Sequence, residues 1–369
     1  MPTQVIIIED DQSFSEKLIA EIKKSPDYEV AARYKTATSA LGQSRMFKPD
    51  LFLMDVDRIE TINLIPSFKN LYPNAEILGL MEYWNSKTSY ACSKAGVTGC
   101  VLKNFTLEEM QKSLEIYKLR GQKKPTRIIS FFSPKGRAGR TTVASMLALM
   151  LAEKSGERVA LIDADLQFGD MPIFFDVEPK HTVVEAIQDI TLLTPLNLDT
   201  YFHTIKDGVS LLSSPSRPEY AELVDVESLV EVVHMTTSLF RYILIDLPTG
   251  FNPISISMCD VADTNILMAM LNDVFCIHHM RGALEMFQTL GNRKNKKVYT
   301  CFTRVNPCTD EERLKIQREL GYPVTDILPN EYQMISLANS GKIVKGLPTD
   351  TLLMEIMSKI ADDVISGRR

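Results

Sequence analysis

The first third of the chain alternates short apolar segments with amphipathic ones. Apolar runs occupy Val5–Ile8, Leu51–Met54, Ala75–Met81 and Gly99–Leu102. After the first run, residues 14–23 place apolar side chains at the spacing of a single helical face. Strands without polar alternation are typical of parallel sheets covered on both faces, so this part is predicted to be an α/β domain.

A second and longer series of the same kind begins with Ile128–Phe132. Its further predicted strands are Val159–Ile162, Val209–Leu212, Tyr242–Ile245, Ile266–Met270 and Val298–Phe302. The polar segment 118–126 contains Gly121 and Pro125 and predicts a linker between the two series. We therefore expect the α/β fold class with two doubly wound domains, at residues 1–117 and 127–369.

Composition adds exclusions to this picture. The 369-residue chain has 41 basic and 47 acidic residues and a formal net charge of −6, so no basic module favours nucleic acid. The charged Glu9 follows the first apolar run closely, and no uncharged apolar run reaches the roughly 20 residues of a spanning helix. We therefore expect a cytoplasmic protein without a transmembrane segment. The six cysteines form no Cys-x-x-Cys pair, which predicts buried, reduced thiols.

A loop rich in glycine and cations follows Ile128–Phe132 and precedes a predicted helix. Its eight residues are Lys135, Gly136, Arg137, Ala138, Gly139, Arg140, Thr141 and Thr142. Glycines let backbone N–H groups surround phosphate oxygens, the helix N-terminus adds partial positive charge, and a threonine hydroxyl can bind Mg²⁺. A merely basic strand-to-helix turn is the alternative, but this combination of residues in this context favours a phosphate-binding loop.

The loop resembles the deviant Walker A motif of the ParA/MinD family of P-loop NTPases, Lys-Gly-Gly-x-Gly-Lys-Thr-[Thr/Ser]. The resemblance implies that all eight residues contact ATP, that Thr141 binds Mg²⁺, and that Lys135 reaches phosphates held by the second subunit of a homodimer. Arg137 replaces the family's second glycine, and Arg140 replaces the ordinary phosphate-loop lysine. Arginine keeps the charge but is planar and longer, so we expect ATP binding with weak or absent hydrolysis.

Three aspartates follow predicted strands of the second domain. Asp163 and Asp165 are two residues apart, which predicts that both face one side of the sheet's carboxyl edge, where such sheets bind ligands. Solvated strand ends are the alternative. The resemblance implies that Asp165 orients the attacking water, Asp163 supports the Mg²⁺ shell, and Asp246 holds Mg²⁺ as the Walker B residue. Lys135, Arg140 and Asp165 are then the predicted catalytic residues.

The segment Ile327–Glu331 resembles the loop on the adenine side of the family's site. The resemblance implies that Pro329 and Asn330 lie near the base. The family's Asn-Arg pair before this loop corresponds here to Thr303 and Arg304. We therefore expect Arg304 beside the nucleotide, with base contacts that differ from those of the family.

Acidic residues in the first domain resemble those of a response-regulator receiver. Asp10 and Asp11 follow the apolar run Val5–Ile8, Asp55 follows Leu51–Met54, and Lys103 follows the last run. The resemblance implies Mg²⁺ bound by the aspartates, an acceptor at Asp55, and a lysine that pairs with a phosphoryl group. The hydroxyl residue expected after the fourth strand is replaced by methionine or glutamate, and the proline after the lysine by asparagine. We favour an inactive receiver kept for interactions, with phosphorylation of Asp55 left open.

The order of the two domains is that of the TadZ/CpaE proteins. This resemblance implies an ATP-bound homodimer that recruits tight-adherence (Flp, type IVb) pilus-assembly proteins and that can concentrate at a cell pole. The alternatives are a cycling ATPase for DNA partitioning or septum placement and a phosphorylation-controlled regulator with an ATPase output domain. The basic turn 291–297 and the amphipathic segment 352–365 are the candidates for DNA or membrane contact, but a solvated loop and a packed helix are favoured.

Overall fold

The structure is a computed structural model. It describes residues 2–121, 126–190, 193, 195–271, 274–289, 296–305, 309–341, 343–348 and 350–369. Residues 122–125 of the predicted linker and 291–295 of the basic turn lie outside these residues. The predicted start of the linker at residue 118 is wrong, because residues 118–121 continue a helix. The chain divides into two compact units, one of residues 1–124 with 191–197, and one of residues 125–190 with 198–369.

The first unit is a five-stranded parallel sheet, in the order β2-β1-β3-β4-β5, with helices between the strands. Its elements are β1 (Thr3–Ile8), α1 (Gln12–Ile22), β2 (Tyr28–Tyr34), α2 (Ala37–Gln43), β3 (Leu51–Asp55), α3 (Ile59–Leu71), β4 (Glu76–Met81), α4 (Ser86–Ala95), β5 (Gly99–Leu102) and α5 (Leu107–Gly121). Alternate residues of β1 enter different cores, because Ile6 and Ile8 pack in one apolar cluster and Val5 and Ile7 in another. Both faces of the sheet are therefore covered, as its apolar strands predict.

Strands of the second unit form an eight-stranded sheet among the described residues, in the order β13-β12-β11-β6-β10-β7-β9-β8. From β6 to β9, the elements in chain order are β6 (Arg127–Phe132), α6 (Arg140–Ser155), β7 (Val159–Asp163), α7 (Met171–Phe175), α8 (Val183–Gln188), α9 (Pro195–Leu198), β8 (His203–Lys206) and β9 (Val209–Leu212). Residues 195–197 of α9 are grouped with the first unit. The remaining elements are α10 (Val226–Thr236), β10 (Tyr242–Asp246), α11 (Pro253–Val261), β11 (Thr264–Met270), α12 (Val274–Thr289), β12 (Lys297–Val305), α13 (Asp310–Leu320), β13 (Asp326–Pro329), α14 (Tyr332–Asn339) and α15 (Leu352–Ser366). Only the edge strand β8 pairs antiparallel within this described sheet. The α/β fold class with two doubly wound domains is thus confirmed.

Helix α6 is the central support of the second unit. Every residue from Val143 to Ala152 is buried, which is the pattern of a helix enclosed on all sides. It packs on β7 and β10 on one side and on α15 on another. The N-terminus of α6, where the predicted phosphate loop ends, therefore has a fixed place at the edge of the sheet.

The C-terminal helix α15 turns its apolar face into the same core. Leu353, Met357 and Ile360 are buried there, which confirms the packed alternative to a membrane-binding segment. The chain end is also anchored, because the buried Arg369 side chain pairs with Asp326 through both carboxylate oxygens. Among the residues that the structure describes, no helix is long and apolar enough to cross a membrane.

Candidate functional site

The candidate nucleotide site lies where three neighbouring parallel strands, β6, β10 and β7, reach their carboxyl ends. Asp246, the last residue of β10, is in register with Asp163 of β7 on one side and with Phe131 of β6 on the other. The loops that leave these strands must therefore converge. The sequence-predicted phosphate loop and all three predicted aspartates meet at this edge.

The phosphate loop is held by hydrogen bonds from residues on other strands and loops. Ser133 donates its hydroxyl to the carbonyl of Lys135 at 2.7 Å, and its own carbonyl accepts from the amide of Gly250 at 3.0 Å. The buried Thr303 hydroxyl donates to the carbonyl of Ala138 at 2.9 Å. The side chain that stands in place of the family's asparagine thus fixes the loop.

Open space remains over the glycines of this loop. A Cβ atom built on Gly136 would meet nothing nearer than the Thr249 hydroxyl at 3.9 Å, and one on Gly139 would meet nothing within 4 Å. Gly139 has φ of +78° and precedes the first turn of α6, a conformation that glycine adopts without strain. Backbone N–H groups and the helix N-terminus can therefore receive an anion here.

Arg137 adopts φ of +65°, which is unfavourable for a residue with a side chain. The left-handed region costs such a residue on the order of 1 kcal/mol relative to glycine, which the family motif has at this position. The side chains of Arg137 and Lys135 are exposed, and Thr142 is half-buried. The loop thus turns two cations outward at its tip.

Arg140 does not point away from the site but crosses it. Its guanidinium lies 3.5 Å from the Asp165 carboxylate and 3.4 Å from that of Asp246. It also donates to the hydroxyls of Ser133 and Thr249, at 2.5 and 3.0 Å. One largely buried cation therefore links the phosphate loop, the end of β10, the segment after β7 and the loop after β10.

The carboxyl group of Asp246 is buried at the centre of the site. Its burial raises its pKa to about 6, although Arg140 and the Thr141 hydroxyl oppose the shift. Thr141 donates a short hydrogen bond to the other carboxylate oxygen of Asp246. Hydroxyl and carboxylate oxygens are hard donors of the kind that Mg²⁺ prefers, so Thr141 and Asp246 fit the metal role.

Asp163 and Asp165 have different partners at this edge of the sheet. The fully buried Asp163 carboxylate accepts hydrogen bonds from Ser214 at 3.1 Å and from the amides of Asp165 and Met171 at 3.3 Å. Burial and the neighbouring Asp246 raise its pKa. Strand β7 ends at Asp163, and the chain turns at residues 166–168, directly after Asp165.

Asp165 faces the guanidinium instead. Burial raises the pKa of its carboxyl group, and the charge of Arg140 opposes the shift. The metal role predicted for Asp163 and the water-orienting role of Asp165 remain predictions. The contacts of Asp163 make it a support for the loop that carries Asp165.

The predicted adenine-side residues lie at the same edge of the sheet, on β12 and β13. Arg304 is exposed and has φ of +56°, and the neighbouring Val305 pairs with Pro329 at the end of β13. Asn330 follows and is half-buried. The bond from Thr303 to Ala138 joins this end of β12 to the phosphate loop.

Four contributors were missed from the sequence, namely Ser133, Gly169, Ser214 and Thr249, and the bond from Thr303 to the phosphate loop was not foreseen although its position was noted. Ser133, Ser214 and Thr249 each lie within three residues of the end of a strand. Gly169 lies farther from one. That position was recognisable only as part of the Gln-Phe-Gly-Asp segment after β7. A lone serine or threonine is too common in loops to mark a site without its spatial neighbours.

The predicted receiver residues are only partly brought together. Lys103 Nζ lies 3.1 Å from carboxylate oxygens of Asp55 and Glu9, and Asp10 joins the group through Arg58. Asp11 does not take part: its carboxylate accepts from the amide of Phe14 at 3.0 Å and caps α1. Glu9 takes the place predicted for Asp11, because it directly follows β1 and is buried.

No set of three or more acidic, histidine or cysteine side chains converges into a ready metal centre anywhere in the described part of the chain. The predicted sharing of Mg²⁺ by Asp10, Asp11 and Asp55 stays a prediction, and in this geometry the three carboxylates are paired with other groups of the chain. Asp11 is committed to its helix cap, and basic side chains lie among the other carboxylates.

Comparison with known proteins agrees with both folds. Residues 124–365 match the ParA family, described as NUBPL iron-transfer P-loop NTPase, and residues 5–115 match the response regulator receiver domain. The first match covers more than half of the chain. The chain therefore belongs to the ParA family of P-loop NTPases and carries a receiver domain before the NTPase domain.

Individual relatives are distant. The chain is 29% identical over 150 residues to the uncharacterized ATP-binding protein MJ0169 of Methanocaldococcus jannaschii, covering 41% of this chain and 55% of that protein. It is 25% identical over 233 residues to the septum site-determining protein MinD of Helicobacter pylori, covering 59% and 83%.

Solved structures show the same fold. The ParA family ATPase of Chlorobium tepidum superposes with a TM-score of 0.59 at 18% identity, over 65% of this chain and 99% of that one. MinD of Pyrococcus horikoshii, solved in complex with Mg-ADP, gives 0.56 at 20% identity, over 66% and 98%.

The tight contact at Gly169 gives a direct test of the site's architecture. A Cβ there would lie 2.3 Å from the Ser214 hydroxyl and 2.4 Å from a carboxylate oxygen of Asp163. We expect Gly169→Ala to destabilise the second unit by about 1–3 kcal/mol in urea unfolding followed by circular dichroism, since overpacking must displace the loop.

Gly282→Ala is the matched control, because Gly282 lies within α12 and a Cβ atom there would meet nothing within 4 Å. This change should be neutral or stabilising, by up to about 1 kcal/mol, through helix propensity. Equal stability of the Gly169→Ala and wild-type proteins would contradict the packing described here.

Proposed function

We propose that the second unit binds ATP with Mg²⁺ at the phosphate loop, that two copies associate around the nucleotide, and that hydrolysis is weak or absent. The ParA family assignment and the open loop over Gly136 and Gly139 support nucleotide binding. Thr141 and Asp246 would hold Mg²⁺, which neutralises phosphate charge when bound. Asp165 would orient water, and Asp163 would support it from behind.

The position of Arg140 is the observation that carries the proposal of slow turnover. A lysine is a compact point charge that can follow phosphate oxygens as charge develops on them, whereas a planar guanidinium binds in a fixed fork. Here that fork is already engaged by two carboxylates and two hydroxyls. The Arg140 guanidinium must break these hydrogen bonds to reach a phosphate, so it stabilises the transition state less.

A homodimer is supported by the surface around the site. Phe168 and Ile173 are 74% and 75% exposed, on the segment that follows Asp165. Tyr220 and Leu223 are also exposed, in the segment after β9. The bond between Ser214 and Asp163 joins these two segments. Apolar side chains grouped beside a nucleotide site, with Lys135 exposed at the loop tip, fit a second copy of the chain as the partner.

We propose that the biological function of the protein is to localise other proteins in the cell rather than to make a chemical product. A receiver domain ahead of a ParA-family domain is the order of the TadZ/CpaE proteins, so we propose a cytoplasmic factor that concentrates at a cell pole. It would recruit proteins of the tight-adherence pilus machinery. Named relatives include a septum site-determining protein, a chromosome partitioning protein and the antiactivator FleN, so regulatory and positioning roles occur among them.

A cycling ATPase is the second candidate. It is favoured by the septum-site and partitioning relatives and by Asp165, which is retained beside the loop. It requires rapid turnover stimulated by a partner, which the engaged Arg140 opposes.

Arg140→Lys tests the proposed slow turnover. We expect the wild-type protein to bind ATP with Mg²⁺ and to release phosphate near the background rate. The lysine variant should hydrolyse ATP on the order of tenfold faster, since a point charge can follow the γ-phosphate. Phosphate release and nucleotide affinity are measured together.

Arg137→Lys in the same loop is the control and should leave turnover unchanged, because the exposed Arg137 side chain lies at the loop tip rather than among the three aspartates. Brisk wild-type turnover that Asp165→Ala abolishes would show a cycling ATPase and refute the slow-turnover proposal.

Phe168→Ser and Ile173→Ser test the proposed dimer surface. Each change removes apolar area worth about 1.5–3 kcal/mol if fully buried in a dimer, so the dimer Kd should weaken by tenfold or more. Analytical ultracentrifugation with ATP and Mg²⁺ measures this, and nucleotide affinity of the monomer should stay unchanged. Leu314→Ser, at a 52% exposed position on α13, should leave the dimer intact. Unchanged dimers in the first two variants would exclude this surface.

A fluorescent fusion tests the proposed location. In cells with a tight-adherence pilus gene cluster, we expect one polar focus that disperses with Lys135→Ala, since that change removes the proposed contact across the dimer. Deletion of the cluster should reduce the focus if its proteins are the partners. Distribution over the nucleoid, or a ring at the septum, would instead support partitioning or septum placement.

A further inference from the structure

Two residues that closely follow the predicted acceptor Asp55 fill the receiver site with charges of their own. Asp57 and Arg58 lie in the loop between β3 and α3. The amide of Asp57 donates to Asp55 Oδ1 at 3.2 Å, which folds this loop back over the carboxyl edge of the sheet. Neither residue was singled out by the sequence pattern.

Arg58 supplies the cation. Its Nη2 atom lies 2.8 Å from Asp10 Oδ2, and its Nε atom lies 3.5 Å from Asp55 Oδ2. These are the two carboxylates between which the resemblance to receivers places Mg²⁺. The hydrogen bond to Asp10 raises the pKa of Arg58, as expected for a guanidinium held by carboxylates.

Asp57 supplies the anion. Its Oδ2 atom accepts from the amide of Glu82 at 2.9 Å and lies 3.5 Å from Lys103 Nζ. Glu82 directly follows β4, where a receiver would carry the hydroxyl that senses phosphorylation. Lys103 is the residue that the same resemblance pairs with a phosphoryl group. A carboxylate of the chain therefore contacts Lys103 and the backbone amide at the position where a receiver carries its hydroxyl residue.

We propose that Asp57 and Arg58 occupy the anion and cation positions of the receiver site from within, so that the first unit keeps a single state without metal or phosphorylation. Four carboxylates, from Glu9, Asp10, Asp55 and Asp57, then share two internal cations. Lys103 is central to this arrangement: burial works against its charge, but Glu9 and Asp55 hold its pKa above the ordinary value.

Arg58 and Mg²⁺ compete for the same carboxylates, so the ion pairs of Arg58 lower the affinity for Mg²⁺ but do not block the site permanently. The Arg58 side chain is 50% exposed and that of Asp10 43%, so solvent reaches this ion pair and limits its strength. Loss of the guanidinium leaves Asp10 and Asp55 without their cation. Mg²⁺ should then bind where the wild-type protein excludes it.

Arg58→Gln in the full-length protein tests the cation position. Trp84 is the only tryptophan and lies two residues after Glu82, packed against the apolar cluster of the first unit, so its fluorescence reports on this unit alone. In a nucleotide-free titration with MgCl2, we expect no saturable change for wild type. The variant should show a saturable change with an apparent Mg²⁺ affinity increased on the order of tenfold or more.

Lys24→Gln is the charge-matched control, since Lys24 pairs with Glu21 on the surface of the same unit. It should behave as wild type. Arg58→Lys keeps the charge but lacks the fork that reaches two carboxylates, so it should give an intermediate affinity. Saturable Mg²⁺ binding by the wild-type protein, equal to that of Arg58→Gln, would overturn the proposal for Arg58.

Asp57→Asn combined with Arg58→Gln tests the anion position. With Mg²⁺ and acetyl phosphate, a carboxylate oxygen of Asp55 would attack phosphorus, the bond from phosphorus to the acetyl oxygen would break, and acetate would leave. We expect intact-mass analysis to show one phosphoryl group on the double variant. None should appear on wild type, or on the double variant that also carries Asp55→Asn.

Phosphoryl transfer to Asp55 of the wild-type protein would overturn the proposal, because its site would then be open. A double variant that gains Mg²⁺ affinity but no phosphoryl group would refute the role of Asp57 while leaving that of Arg58 supported. Urea unfolding monitored by Trp84 shows whether each variant is folded before either comparison is made.

Discussion

The dominant physical constraint in both units is the crowding of carboxylates at the carboxyl edge of a parallel sheet. Such groups repel one another and lose solvation on burial, so the fold needs a cation among them. Arg140 meets this need in the second unit by bridging Asp165 and Asp246, and hydroxyls and backbone amides satisfy the remaining oxygens. Without that guanidinium, the buried acids would be protonated or the loops would separate. The geometry of the candidate nucleotide site thus depends on one side chain that a phosphate must compete for.

The same solution occurs in the receiver unit with different residues. Lys103, directly after the last strand, and Arg58, in the loop after Asp55, each pair with carboxylates of the acidic group there. Arg140 stands where the resemblance to the ParA/MinD family places a lysine, and Arg58 lies where the resemblance to receivers places Mg²⁺. In both units, cations of the chain itself therefore lie among the crowded carboxylates. In the second unit the proposed ligand must displace these cations, and in the first unit they are proposed to exclude it.

Much of this organisation follows from the sequence, because buried parallel strands are continuous apolar runs and the loop after β6 has an unusual composition. The edge strands β2, β8 and β13 were not predicted, since all three are partly exposed, and Ile327–Glu331 was expected to be a loop although β13 ends only at Pro329. The acidic pair after β1 was misplaced by one residue, because sequence alone does not show whether Asp11 is a ligand or a helix cap. The partners of Asp163 could not be predicted because Ser214, which donates to its carboxylate, is 51 residues away in the chain. The direction taken by Arg140 depends on four separate segments and has no local signature.

The sheet of the second unit also limits how copies of the chain can associate. Its outer strands, β8 and β13, have four residues each. Exposed Lys206 ends the first, and Pro329, which has no N–H to donate, ends the second. Short edges with a charge or a proline are poor templates for adding a further strand, so continuous β-sheet polymers and edge-to-edge aggregation are disfavoured. A protein kept at high local concentration at one place in a cell would be protected by its own sheet borders against that form of uncontrolled growth.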